Sequence, residues 1–274
     1  MPTEVPLVGD AAETLRALLS LLERKEDRGL LEQAQQNMAK WREDLAALED
    51  GSRDPIQPQY LMRVIDRHAA DDAVLSSDSG TIATWAARHF DIRDRRQFYL
   101  SGNLASMAPG LPYAIAAQWA HPDRQCIAFV GDGGFAMLMA EFDTACRYGL
   151  PIKVFVNNNA SLGQILWEQM VLGYPEFGVR FQRVMSFAPF AESCGGMGVR
   201  VEKAADVEAA VRAALAHPGA ALVDVLVNPD EPPMPGKVSY DQAKGFAQAF
   251  LRGQPRKATI ATTLFRDKLD QLRS

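Results

Sequence analysis

The chain has 274 residues, 47% of them apolar, and a formal net charge of -5. That length can bury a sizeable core in one or two domains, and its scattered Lys and Arg exclude a nucleic-acid surface, which needs clustered positive charge. No apolar stretch nears the roughly 20 residues that cross a bilayer and no basic-then-apolar leader opens the sequence, so the reading is a cytoplasmic protein without a transmembrane segment. Cys126, Cys146 and Cys194 form no C-x-x-C pair and read as reduced core residues, and the histidines show no metal-ligand spacing.

In chain order, "VPLV" followed by "AAETLRALLSLLER" reads as a strand feeding a helix, with Leu15, Leu18, Leu19 and Leu22 on one face. One strand and one helix enclose no core, so residues 1–23 read as the last piece of a domain. Residues 24–57, a charged, glutamine-rich helical stretch closed by Gly51, Pro55 and Pro58, read as a linker.

From 58 to 230 the pattern is regular. Strand-like runs "AVLSS", "QFYL", "QCIAFV", "IKVFV" and "ALVDVLV" alternate with helical runs "QYLMRVIDRHA", "TIATWAARHF", "SMAPGLPYAIAAQWA", "AMLMAEFDTACRYG" and "ADVEAAVRAALAH". Continuous apolar strands between amphipathic helices predict an α/β domain, a parallel sheet with helices on both faces. Residues 231–274 form a C-terminal tail of a Pro-rich segment and two helices, able to pack on the domain or on a partner.

"GDGG", Gly131 to Gly134, stands where a strand turns into a helix, and such turns bind ligands in open α/β sheets. A dinucleotide site fits Gly131, Gly133 and Ala136, but the strand that follows ends in "NNN" and lacks the carboxylate that would hold a ribose. Asp132 would also repel a pyrophosphate unless a cation stood between them. Mg2+ supplies that cation, because it takes one or two carboxylates together with phosphate oxygens, and the Asn cluster at 157–159 offers an amide oxygen. Asn157 and Asn158 have a plainer reading as turn residues, and Ser79 or Thr81 as caps of the next helix. On pattern alone Met107 is a core residue of a helix.

The order of "SDSGT", "ASMAPGLPYAIAAQ", "GDGG" and "NNN" resembles the cofactor-binding C-terminal portion of the thiamine diphosphate enzymes of the pyruvate oxidase and acetolactate synthase group. Within it, "LGQILWEQM", "ESCGGMGVRVEKAADVEAAV" and "DQAKGF" look most like the pyruvate dehydrogenase (quinone) branch. The resemblance implies the thiamine diphosphate-binding fold, with Mg2+ held by the side chains of Asp132 and Asn159 and the carbonyl of Ser161. Gly80, Thr81, Gly133 and Gly134 would line the diphosphate, with Gly131, Leu162 and Gly163 completing the cofactor site. Met107 would support the thiazolium, and Ala105 would offer its carbonyl to the aminopyrimidine. Gln164 and Glu168 would face a 2-keto acid such as pyruvate and, with Met107, form the catalytic set. Some relatives carry an aromatic residue where Gln164 stands.

The same resemblance implies FAD in the intact enzyme, residues 1–23 being the end of a middle domain that carries much of its site. It also implies a homo-oligomer, a peripheral membrane position as the variant of the cytoplasmic one, and an activating glutamate from an N-terminal domain that these residues do not include. The expected activity is oxidative decarboxylation of pyruvate. The alternatives are a carboligase that forms acetolactate and a non-catalytic cofactor-binding paralogue.

Overall fold

The alternation read from the sequence becomes a six-stranded parallel sheet in the computed structural model, which describes residues 3–234 and 238–273. The chain divides into two units, one ending at Glu43 and the other starting at Asp44. In the first, helix α1 (Ala11–Leu19) starts at Asp10, whose carboxylate accepts the Glu13 amide at 3.0 Å, and α2 (Gly29–Ala46) runs on into the second unit. The "VPLV" segment is not a strand. A strand needs a neighbour for its ladder, and none pairs with it among the described residues. The leucine face of α1 is present but exposed.

The second unit begins its regular pattern with α3 (Pro58–His68), β1 (Val74–Ser77), α4 (Thr81–His89), β2 (Gln97–Tyr99), α5 (Gly110–Ala120) and β3 (Cys126–Gly131). It continues with α6 (Asp132–Leu138), α7 (Glu141–Arg147), β4 (Lys153–Asn158), α8 (Gly163–Val171), α9 (Ala188–Ser193), β5 (Met197–Val201), α10 (Ala204–Ala216) and β6 (Ala221–Leu226). Helices α11 (Tyr240–Leu251) and α12 (Lys257–Arg273) close it. The strand order is β2-β1-β3-β4-β6-β5.

Both faces of the sheet are covered, which is why the central strands are apolar at consecutive positions. Ile127 and Phe129 of β3 join Phe155 and Val223 on one face, under α3, α4 and α10. Ala128 and Val130 join Val154 and Leu222 on the other, under α5, α7 and α9. Pairing with β3 and β6 carries β4 through Asn157 and Asn158, so these two are buried strand residues rather than turn residues. The helix expected over "AMLMAEFDTACRYG" is divided at Met139 and Ala140, whose carbonyls take amides only three residues on, a tighter turn than the α-helix.

The C-terminal helices pack on α8 of their own chain. Gly245 of α11 lies so close that a Cβ there would sit 1.8 Å from the Val171 carbonyl oxygen, and the Phe246 ring stacks on Trp167 at 6.5 Å. Buried Asp230 anchors the same region through Arg180 and Arg256.

Candidate functional site

After β1 the chain crosses to one side, to β2, and after β3 to the other, to β4. The loops leaving these adjacent strands therefore diverge, and a crevice opens at their carboxyl ends, the place where open α/β sheets bind ligands. Asp78, Gly80 and Thr81 from the first loop, Gly131 to Gly134 from the second, and Asn159 to Gly163 after β4 surround it, and Met107 reaches in from the segment before α5. Ala160 turns its backbone to φ 53° within the third of these loops.

Helices α4, α6 and α8 begin at this crevice, with Gly80, Gly131 and Leu162 as N-caps, and none of the three caps supplies a side-chain acceptor. Ser79 and Thr81 do not cap α4. Helix N-termini leave amides that intrahelical bonds do not satisfy and carry partial positive charge, so the crevice suits an anion. Glycine is required in it. Gly80 has φ 109°, a Cβ on Gly134 would lie 2.0 Å from Asp78 Oδ2, and one on Gly133 would lie 2.9 Å from Leu162. The backbone is thus bare where a diphosphate would lie against it.

Asp132 is 4% exposed and has no ion-pair partner among the described residues. Its Oδ1 accepts the Gly133 amide at 3.0 Å, and the Ala160 amide also lowers its pKa, but burial dominates and pushes it up to about 7. Burial likewise pushes Asp78 up to about 6, against the amides of Gly110 and Gly131. Asn157 Oδ1 and Ser161 Oγ, both on the crevice wall, are buried without hydrogen-bond partners. Asn159 Oδ1 accepts the Ser161 amide at 3.1 Å. A buried carboxylate without a cation beside oxygens without donors is a donor set for a hard cation. Among the described residues no three His, Cys, Asp or Glu side chains gather to hold a metal by themselves, so such an ion would also need amide, carbonyl, phosphate or water oxygens.

Met107 is not the helical core residue that the pattern suggests. It lies in the segment before α5, 40% exposed, with its methyl 3.0 Å from where a Gly133 Cβ would be. Ala105 and Ala108 on either side have φ of 49° and 73°, conformations that L-residues seldom adopt and that gather at functional sites. Ala105 itself is exposed and not on the crevice wall. Gln164 is on that wall and donates to Glu168 Oε1 at 2.9 Å. Glu168 belongs to an adjoining chamber of about 310 Å³ between α8 and α11, with Trp167 and Phe246. Asn158, deeper in the sheet, donates to Asp224 Oδ1 at 2.9 Å and to the Met185 carbonyl, and so braces β4 against β6.

Two polar wall residues, Asp78 and Asn157, carry no signal in the sequence that marks them as part of the site. Asp78 stands within "SDSGT", but its partners, Gly110 and Gly131, are too distant in sequence to signal it. Asn157 reads as a turn residue in the sequence, and only the strand pairing places it on the wall.

A parallel sheet whose switch-point crevice is lined by glycines and three helix N-termini is the kind of site that suits a diphosphate cofactor. The family described as the thiamine pyrophosphate enzyme, C-terminal TPP binding domain, matches residues 78–225, more than half of the chain, and the chain belongs to it. Among its relatives, YdaP of Bacillus subtilis (strain 168), whose name proposes that it contains thiamine pyrophosphate, is 43% identical over 92% of this chain and 43% of its own length. Pyruvate oxidase of Lactiplantibacillus plantarum is 31% identical over 89% of this chain and 41% of its own. Acetolactate synthase 2, chloroplastic, of Nicotiana tabacum is 32% identical over 84% and 36%. The chain therefore spans about two-fifths of the length of these relatives.

The pKa of Asp132 has a measurable consequence without cofactor. Its folded value, about 7, stands above the ordinary 3.8, so between these values the folded chain holds a proton that the unfolded chain has lost. The contribution of Asp132 to the stability of the cofactor-free chain then falls as pH rises from about 4 to about 7, by on the order of a few kcal/mol. Denaturant melts across this range should show the wild type losing stability relative to Asp132→Asn as pH rises. Parallel profiles would contradict the assignment of this titration to Asp132.

Proposed function

We propose that the chain is the thiamine diphosphate- and Mg2+-binding domain of an enzyme that oxidatively decarboxylates a 2-keto acid, pyruvate being the leading substrate. The single observation that carries this reading is Asp132, a buried carboxylate that no cationic side chain among the described residues pairs with, set among glycine amides at uncapped helix starts. Asp132 and Asn159 would hold the metal through their side chains and Ser161 through its carbonyl. The amides near Gly80, Thr81, Gly133 and Gly134 would receive the diphosphate. Gly131, Leu162 and Gly163 would shape the walls, and Met107 would set the cofactor's bend from below.

When bound, thiamine diphosphate supplies the electron sink for decarboxylation. The chain's own part is to orient, to exclude water and to neutralise charge. Glu168 and Gln164, joined by their hydrogen bond, would meet the keto acid at the mouth of the chamber. Ala105 keeps its proposed carbonyl role toward the aminopyrimidine only if the segment before α5 closes further, because it stands off the crevice in this structure. In the intact enzyme the reading adds FAD, a quinone acceptor, an N-terminal domain and a homo-oligomer working in the cytoplasm or at a membrane face. No helix among the described residues is long and apolar enough to cross a membrane.

A carboligase is the second reading, favoured by the match to acetolactate synthase at an identity similar to that of pyruvate oxidase. Products decide between them. The purified chain, given pyruvate, thiamine diphosphate, Mg2+ and an artificial electron acceptor, should be silent by itself. General acid-base help of the kind the activating glutamate gives is worth roughly 100-fold to 10,000-fold. Adding the separately expressed N-terminal portion of a relative should release acetate and reduce the acceptor. Acetolactate instead would favour the carboligase, and full turnover by the chain alone would mean that one of its own carboxylates activates the cofactor.

A further inference from the structure

Asp78 is 2% exposed, at the end of β1, and its carboxylate faces two other elements of the site. Oδ1 accepts the amide of Gly110, the first residue of α5, at 2.9 Å. The Gly131 amide, at the GDGG turn, also acts on the carboxylate. Oδ2 lies against Gly134, where a Cβ would come within 2.0 Å, and has no partner of its own. Helix α5 receives no cap from its own N-cap residue, Pro109, so Asp78 serves as its cap from a distant loop. A carboxylate is favoured there by the helix dipole.

The segment just before Gly110 carries Met107 and the two alanines in left-handed conformations. Strained backbone persists only where the surroundings over-determine it. The Gly110 bond fixes the downstream end of this segment, and the close packing of Oδ2 on Gly134 sets the GDGG turn, later in the chain, against the same side chain. We propose that Asp78 is a positioning residue that couples the Met107 segment to the GDGG turn, and so sets the distance between the support beneath the cofactor and the diphosphate floor. This rests on the proposed role of Met107, but the placement of Met107 can be measured without cofactor.

The test is NMR of the full chain labelled with 13C at the methionine methyl groups, cofactor-free, for the wild type, Asp78→Ala and Asp78→Asn. Met62 and Met170, fully buried in separate clusters, serve as internal references. In Asp78→Ala the Met107 methyl resonance should move toward its random-coil position while those of Met62 and Met170 stay. Asp78→Asn, which keeps an acceptor for Gly110, should restore it. If Asp78→Ala does not fold, Asp78→Ser, too short to span to the Gly110 amide, takes its place with the same expectation. A Met107 resonance unchanged in the folded Ala or Ser variant would overturn the proposal, as would one that moves together with Met62 and Met170. Calorimetry with thiamine diphosphate on the wild type reports separately on the cofactor reading, so the two failures are distinguishable.

Discussion

Asp132→Ala should abolish measurable binding of thiamine diphosphate with Mg2+ and at the same time stabilise the empty chain above pH 7. The two effects share one cause. In the cofactor-free chain the carboxylate is buried, without an ion-pair partner among the described residues, and held by backbone amides alone, so its ionised form is a liability that alanine removes. With a metal bound there, the same carboxylate would be the charged ligand that the protein itself supplies, beside the diphosphate oxygens. Removing one member of a buried charge pair costs about 2–5 kcal/mol, which is more than tenfold in affinity. Calorimetry and denaturant melts at pH 8 measure both. A structural aspartate would give the opposite pair, a weaker fold with intact binding, and that outcome would sink the metal assignment. Greater stability at the expense of ligand affinity is the trade expected of a functional site.

Gly134→Ala should be nearly as damaging to binding, through shape rather than charge. The new Cβ would stand 2.0 Å from Asp78 Oδ2 and 3.0 Å from its Cγ, a side chain that is itself pinned by Gly110 and cannot swing away cheaply. Overpacking of this kind costs about 1–3 kcal/mol, and more where the neighbour cannot yield. Relief would come from shifting the GDGG turn, which displaces the Gly133 and Gly134 amides proposed to meet the diphosphate. The expected result is a lowered melting temperature together with weakened cofactor binding. Because the clash is with one side chain, the penalty in an Asp78→Ser background should be smaller than the sum of the two single changes. Strict additivity in the double variant would show that the strain lies elsewhere.

Most of the sheet was legible because its strands are buried on both faces. Runs such as Ile127 to Val130 have no polar interruption, and helical periods separate them. β5 is not legible for the converse reason. It is an edge strand paired only with β6, half-buried over most of its length, and its "MGVRV" breaks the apolar run with Gly198 and Arg200. The helix expected from Ser106 begins only at Gly110, since Pro109 and the left-handed alanines before it hold an irregular segment. That segment is what frees Met107 to reach Gly133 instead of joining the core.

The site was legible where its residues are contiguous. Gly-Asp-Gly-Gly announces a close backbone approach with a carboxylate in the wrong place for a bare anion, and the Asn cluster one helix pair and one strand later offers the matching oxygens. The roles of Asp78 and Asn157 were not legible. The first depends on a contact across 32 residues, and the second on which way a strand residue faces once β4 is paired on both sides. Asn158 was equally hidden, its amide being committed to the buried Asp224 at the neighbouring strand.

The most direct measurement is isothermal titration of thiamine diphosphate into the purified chain in Mg2+, repeated with excess chelator and with Asp132→Ala. Saturable binding with one cofactor per chain is expected in Mg2+, with loss of that binding both when the metal is removed and in the folded variant. Equal affinity with and without Mg2+, or in the wild type and Asp132→Ala, would contradict the metal assignment.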